Sequence, residues 1–384
     1  NIITSFNSIV VNNFYMKNAI LKKPTGQKPN PRKIRIVIMD GLSLNFLISL
    51  SSEQKLLNFD YLLKNGVRSR ITSFKPNFEL ALLNSTLTGC EPSQYAFHSH
   101  NRFKISDLNH EFNIFPRYVF FRYSSVLGFT TFYKKDNPTV KDYIIKNYRT
   151  HNYQIQPLIG HQYVPVYSKK LLEHNSLFIH LFSDILEGLN PKYEIIRKAF
   201  FLDEYMKSRI PGLKDSEKYY SITRLKGLAT ISKYFYQYYI HQIFGNIDEK
   251  EINQYGWIIK NYYEYYDSII GNLISSTGEN ELLVILSFFE YEPLPVWRRI
   301  MVNLFGDQDI YVYKSLNSKG TLLMYEKNAL KKDYPLKTIT IFDIFPTFIY
   351  YSGFQLSPDL KGEVIREIFN DEFILNNPID FQTN

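Results

Sequence analysis

The stretch from Lys33 to Gly41 limits the possible folds more than any other. Ile34, Ile36, Val37, Ile38 and Met39 stand in it with only Arg35 between them, and it closes on Asp40-Gly41. A nearly unbroken apolar run of this length reads as a buried parallel strand ending in a tight turn. Ligands of open α/β sheets gather at the carboxyl ends of such strands. Asp40 therefore falls where a metal or substrate would be held, although taken alone it is a turn residue after a strand.

The pattern continues in order. Ser51 to Asn65 reads as a helix, with Leu56, Leu57, Phe59, Leu62 and Leu63 on its apolar face and Gly66 as its C-cap. A loop from Phe74 to Glu79 leads to a second helix, Leu80 to Leu87, ending at Thr88-Gly89. From Tyr219 the alternation returns. Leu282 to Leu286 forms another unbroken apolar strand, Gly320 to Tyr325 a further one, and Asp343 with Pro346 and Thr347 marks a helix start. Leu177-Phe178-Ile179, flanked by His174 and His180, reads as a short strand with two structural histidines.

These pieces, in this order and spacing, resemble the alkaline phosphatase superfamily, most closely its type I phosphodiesterase/nucleotide pyrophosphatase branch. Met39-Asp40-Gly41, Lys64-Asn65-Gly66-Val67, Pro76-Asn77-Phe78-Glu79 and Leu87-Thr88-Gly89 stand where that branch has strand-Asp-Gly, an NGV-like helix end, Pro-x-x-nucleophile and a helix ending in Thr-Gly. Further along, Asn261 to Gly271, Trp297-Arg298-Arg299, Asp343 to Thr347 and Asp359 to Gly362 keep the register. The resemblance implies an α/β fold: a mostly parallel sheet sandwiched by helices, with an inserted cap. Residues 34–103 and 220–384 would be the core, 104–219 the aromatic-rich cap, and 1–33 a basic N-terminal arm or linker.

Enzymes of that fold use two metal ions and a Thr or Ser at a helix N-terminus. A metal pair clamps the attacking and leaving oxygens of a phosphoryl group, and zinc takes His nitrogens and carboxylate oxygens. The resemblance leaves Asp40 as the one retained ligand position. Ala229 and Lys233 stand at the D-x-x-x-H positions, Phe288 and Phe289 at the Asp-His pair, and Glu79 at the nucleophile. One point needs no alignment: the last histidine of the chain is His241, so no slip of register supplies the two C-terminal histidines. His98 and His100 have the spacing of one strand face and read as loop histidines. The expected outcome is a vestigial site with no metal, no cofactor and no catalytic residue, in which Lys233 approaches Asp40 or Glu79.

Composition narrows the partners. The net charge is +8, yet the basic residues are scattered, and no zinc-finger, RNA-binding or helix-turn-helix signature occurs, so nucleic acid is not expected. Five basic residues and no acid occupy the Pro-rich stretch 18–34, which suits an anionic membrane surface or a solvated tail equally. Cys90 is the only cysteine, which excludes an internal disulfide. No apolar run reaches the ~18 residues of a membrane span; any anchor would precede Asn1. The chain reads as a catalytically inactive phosphodiesterase-like protein, a structural or binding module in a membrane-associated assembly, more on the extracytoplasmic side. Its partners would be other proteins of that complex. Two alternatives are a remodelled phosphoesterase using Asp40 and Glu79 with one metal or none, and a protein that binds phosphate or a lipid headgroup.

Overall fold

A sheet of nine strands divides two apolar layers in the computed structural model. The structure describes residues 14–17, 32–74, 79–89, 91, 102–105, 111–112, 129–132, 156–157, 167–208, 210, 220–244, 247–297, 299–300, 312–314, 319–358 and 360–381. The strands are β1 (Phe14–Lys17), β2 (Lys33–Met39), β3 (Val67–Thr72), β7 (Gln156–Pro157), β8 (Tyr220–Leu225), β9 (Glu281–Ser287), β12 (Gly320–Tyr325), β13 (Tyr334–Pro335) and β14 (Ile339–Thr340). Their order is β13-β3-β12-β9-β2-β8-β1-β7, with β14 also on β3. β2 lies parallel between β8 and β9, while β12 and β1 run against their neighbours. The other strands share the direction of β2, so the sheet is mostly parallel. β4 (Arg102–Ile105), β5 (Glu111–Phe112) and β6 (Phe129–Phe132) form a separate small sheet, and β10 (Tyr291–Pro293) pairs with β11 (Val312–Lys314).

Strand periodicity explains the two layers. Ile34, Ile36 and Ile38 enter one apolar cluster, and Val37 and Met39 enter the other. Helices cover both faces. On the first side lie α3 (Glu79–Thr88), α10 (Ile344–Tyr351) and α11 (Asp371–Asn376). On the second lie α1 (Leu44–Ser52), α2 (Leu57–Asn65), α4 (Lys169–Glu173), α5 (Ser176–Leu186), α6 (Pro191–Lys207), α7 (Gly227–Tyr239), α8 (Glu249–Tyr255) and α9 (Ile258–Ser276). Arg35 faces this second side. It forms a buried pair with Glu281 at 2.7 Å and donates to Ser276 at the end of α9 at 2.8 Å, which lets a charge interrupt an otherwise apolar strand.

Several sequence expectations change. The helix expected over Ser51 to Asn65 is two helices, because the chain turns at Glu53 and Gln54, the latter at φ 58°. Gly66 is the C-cap of α2, as expected, but with extended rather than left-handed backbone, and glycine is required there because a Cβ would collide with the Met324 carbonyl of β12. Leu177-Phe178-Ile179 is helix, not strand. Asn175 caps it by accepting from the Phe178 N–H at 2.9 Å, and Phe178, Leu181, Phe182 and Ile185 are its buried stripe. His174 and His180 are exposed. The stretch taken as an arm supplies β1 to the sheet, and Arg32 docks 4.4 Å above the Phe373 ring while donating to the Tyr351 carbonyl at 3.1 Å.

The stretch 104–219 also differs from a simple cap. Its later part, α4 to α6, packs into the same apolar cluster as α7 and α9. Asp203 on α6 makes the join. Its carboxylate accepts from the Lys226 and Gly227 N–H groups at 3.0 Å each, and from the Tyr262 and Tyr266 hydroxyls at 3.0 and 2.8 Å. The side chain of Lys226 makes no cap, so Asp203 serves the orphan N–H groups at the start of α7 from another helix. Complete burial pushes the Asp203 carboxyl up to about 6, against the pull of these donors.

Candidate functional site

The carboxyl ends of β2, β8 and β9 meet at one edge. The Asp40 N–H donates to the Leu225 carbonyl at 3.0 Å, tying β2 to β8. The Gly41 N–H donates to Ser287 Oγ at 3.2 Å, and Ser287 Oγ donates to the Phe289 carbonyl at 3.0 Å, tying β2 to β9. Thr321 of β12 donates to the Leu42 carbonyl at 3.0 Å. Gly41 has φ 83°, and a Cβ there would come within 3.0 Å of the Ala229 Cα, so the start of α7 presses directly on the turn.

Asp40 projects into this edge and is 2% exposed. Its cation is Arg224, next to last in β8 and in register with Ile38. Arg224 Nε donates to Asp40 Oδ2 at 2.8 Å, and Nη2 lies 2.7 Å from the same oxygen as an ion-pair contact without a hydrogen bond along it. Asp40 Oδ1 is buried with no hydrogen-bond partner among the described residues. The pair is well placed because adjacent parallel strands bring same-face side chains side by side.

On Asp40 the cation is therefore Arg224 and not Lys233, while the other expected partner of Lys233, the Glu79 side chain, lies outside the described residues. Lys233 lies one turn beyond Ala229 on α7, half-buried, with its ammonium 4.9 Å from the Tyr234 ring centre and donating to the Tyr234 hydroxyl at 3.4 Å. Ala229, Phe288 and Phe289 are buried, and their side chains carry no donor or acceptor. Glu79 begins α3, as its position after the loop suggests, but its side chain, like residues 75–78 and the His98/His100 loop, lies outside the described residues.

Glu290 follows the two phenylalanines. Its Oε1 accepts from the Leu44 N–H and from Arg70 Nη1, each at 3.2 Å, so it holds the N-terminus of α1. Burial raises its carboxyl above the ordinary range, and Arg70 opposes that. Beside the turn, Gly41, Ser43, Phe46, Ser232, Tyr236 and Tyr263 border a recess of about 10 Å³, room for about one water molecule.

These residues do not fit a two-metal centre. The one carboxylate at the expected place is engaged by a guanidinium, and the neighbouring positions offer methyl and phenyl groups. Among the described residues, no three His, Cys, Asp or Glu side chains gather as a metal site requires. Arg224 and Asp203 went unread in the sequence. The signal for Arg224 was an arginine inside the short strand next to the Asp40 strand; Asp203 gave none, being one acid on a helix with several charges.

No protein-family profile and no curated protein matches this chain.

Proposed function

We propose that the chain is a catalytically inactive relative of the type I phosphodiesterases, kept as a structural or binding module in a membrane-associated assembly. The observation that carries this reading is the Arg224–Asp40 pair. A guanidinium cannot lose its proton at ordinary pH, so it is a permanent occupant of the charge position that a metal would need. Ala229, Phe288 and Phe289, at positions where the resembling family places metal ligands, are buried and offer no group to bind a metal or activate a water.

The test is direct. Purified protein supplied with zinc, manganese or magnesium should retain no stoichiometric metal, and phosphomonoester and phosphodiester substrates should remain intact. Near-stoichiometric metal together with hydrolysis lost in Asp40→Ala would overturn the reading.

A further inference from the structure

The hairpin of β10 and β11 leaves the carboxyl edge of the sheet, and the residues after Pro293 carry a surface that the vestigial site does not use. Leu294 is buried and anchors the segment, and a helical turn follows it. On that turn Val296, Trp297 and Ile300 are 65%, 61% and 54% exposed. Ile243, in the neighbouring segment, is 51% exposed. Arg299 joins the two elements: its guanidinium lies 5.6 Å from the Phe244 ring centre, and Nη1 donates to the Phe244 carbonyl at 3.5 Å.

The sequence here has a distinct chemistry. Between Pro293 and Gly306 the sequence holds two arginines, Arg298 and Arg299, and no acid. Exposed Trp and aliphatic side chains with adjacent arginines suit the boundary between anionic headgroups and acyl chains. Tryptophan presents a broad apolar body with one N–H donor, which such a boundary satisfies at both ends. The chain as a whole carries +8, which favours the same partner over long range.

We infer that the helical turn carrying Val296, Trp297 and Ile300 seats this protein on an anionic lipid surface. The inference rests on the membrane-associated part of the proposed function and is independent of whether the site has lost its chemistry.

The experiment uses the full chain with phosphatidylcholine vesicles, with and without phosphatidylserine. Binding is expected to the anionic vesicles and to weaken as salt rises. In a Trp257→Phe background, Trp297 emission should move to shorter wavelength on binding. Trp297→Ala with Ile300→Ser should weaken partition by about tenfold or more, the scale set by withdrawing such side chains from water. Leu189→Ser, at a residue 99% exposed elsewhere, should leave binding unchanged. Binding that survives Trp297→Ala/Ile300→Ser would overturn this surface while sparing membrane association, since another basic region would then hold the lipid. No binding to either vesicle, or self-association abolished by the same double variant, would overturn the lipid assignment.

Discussion

Arg224→Met tests the central contact at the sheet edge. Arg224 and Asp40 are 9% and 2% exposed, so methionine would leave a carboxylate in an apolar setting with neither cation nor water. Breaking a buried pair from one side typically costs about 3–5 kcal/mol. The melting entropy is about 2.1 cal/mol/K per residue, or about 0.8 kcal/mol/K for 384 residues, so Tm should fall by about 4–6 °C. Asp40→Leu alone removes the buried carboxylate from the guanidinium and should also destabilise the fold. The double variant Arg224→Met/Asp40→Leu replaces the pair with apolar groups of comparable length and should recover most of the loss. Urea titrations of the four proteins, followed by far-UV circular dichroism, close the thermodynamic cycle. The reasoning fails if each single variant costs less than about 1 kcal/mol, or if the double variant is no more stable than the weaker single one.

Two further outcomes follow from buried contacts away from that edge. Asp203 has a folded-state value of about 6 against an ordinary 3.8, so between these pH values the folded chain holds more proton than the unfolded one. Stability from this group must then fall as pH rises through that window, by about 3 kcal/mol in all, and Asp203→Asn should remove that slope in urea titrations from pH 4 to 7. An unchanged slope would show that the donors around Asp203 outweigh its burial. Gly66→Ala should destabilise by about 1–3 kcal/mol, because its methyl meets the Met324 carbonyl and parts α2 from β12; a neutral thermal scan would refute that packing.

Strands buried on both faces were the most legible part of the chain. β2 and β9 announce themselves because a parallel strand with a layer on each side has no polar face to display. The entry to α10 was also readable: Asp343 is its N-cap residue, and its carboxylate accepts from the Thr340 N–H at 2.8 Å in the capping box of the 3-10 turn Ile341–Asp343 that leads into the helix. What escaped notice was contact between distant residues. Nothing near Asp40 in the sequence names Arg224, because strand pairing supplies that neighbour. The choice of Lys233 assumed that a replacement cation must come from a lost ligand position, whereas an adjacent strand offers a shorter and more rigid approach. The misread at Leu177 to Ile179 had a different cause: three apolar residues fit either period, and the deciding residues, Asn175 and Leu181 to Ile185, lay outside so short a window.

The bond from Asp203 to the start of α7 has a consequence for anyone trimming this chain. Excising 104–219 would appear to yield a minimal sheet protein, yet it would leave the Lys226 and Gly227 N–H groups and the Tyr262 and Tyr266 hydroxyls facing a hole. α7 is the helix whose first turn presses on Gly41, so its loosening would reach the turn that carries Asp40. A cut that spares the Asp203 contact must leave α6 in place, and limited proteolysis should respect the same boundary: protection of α6 and of α7 should be lost together.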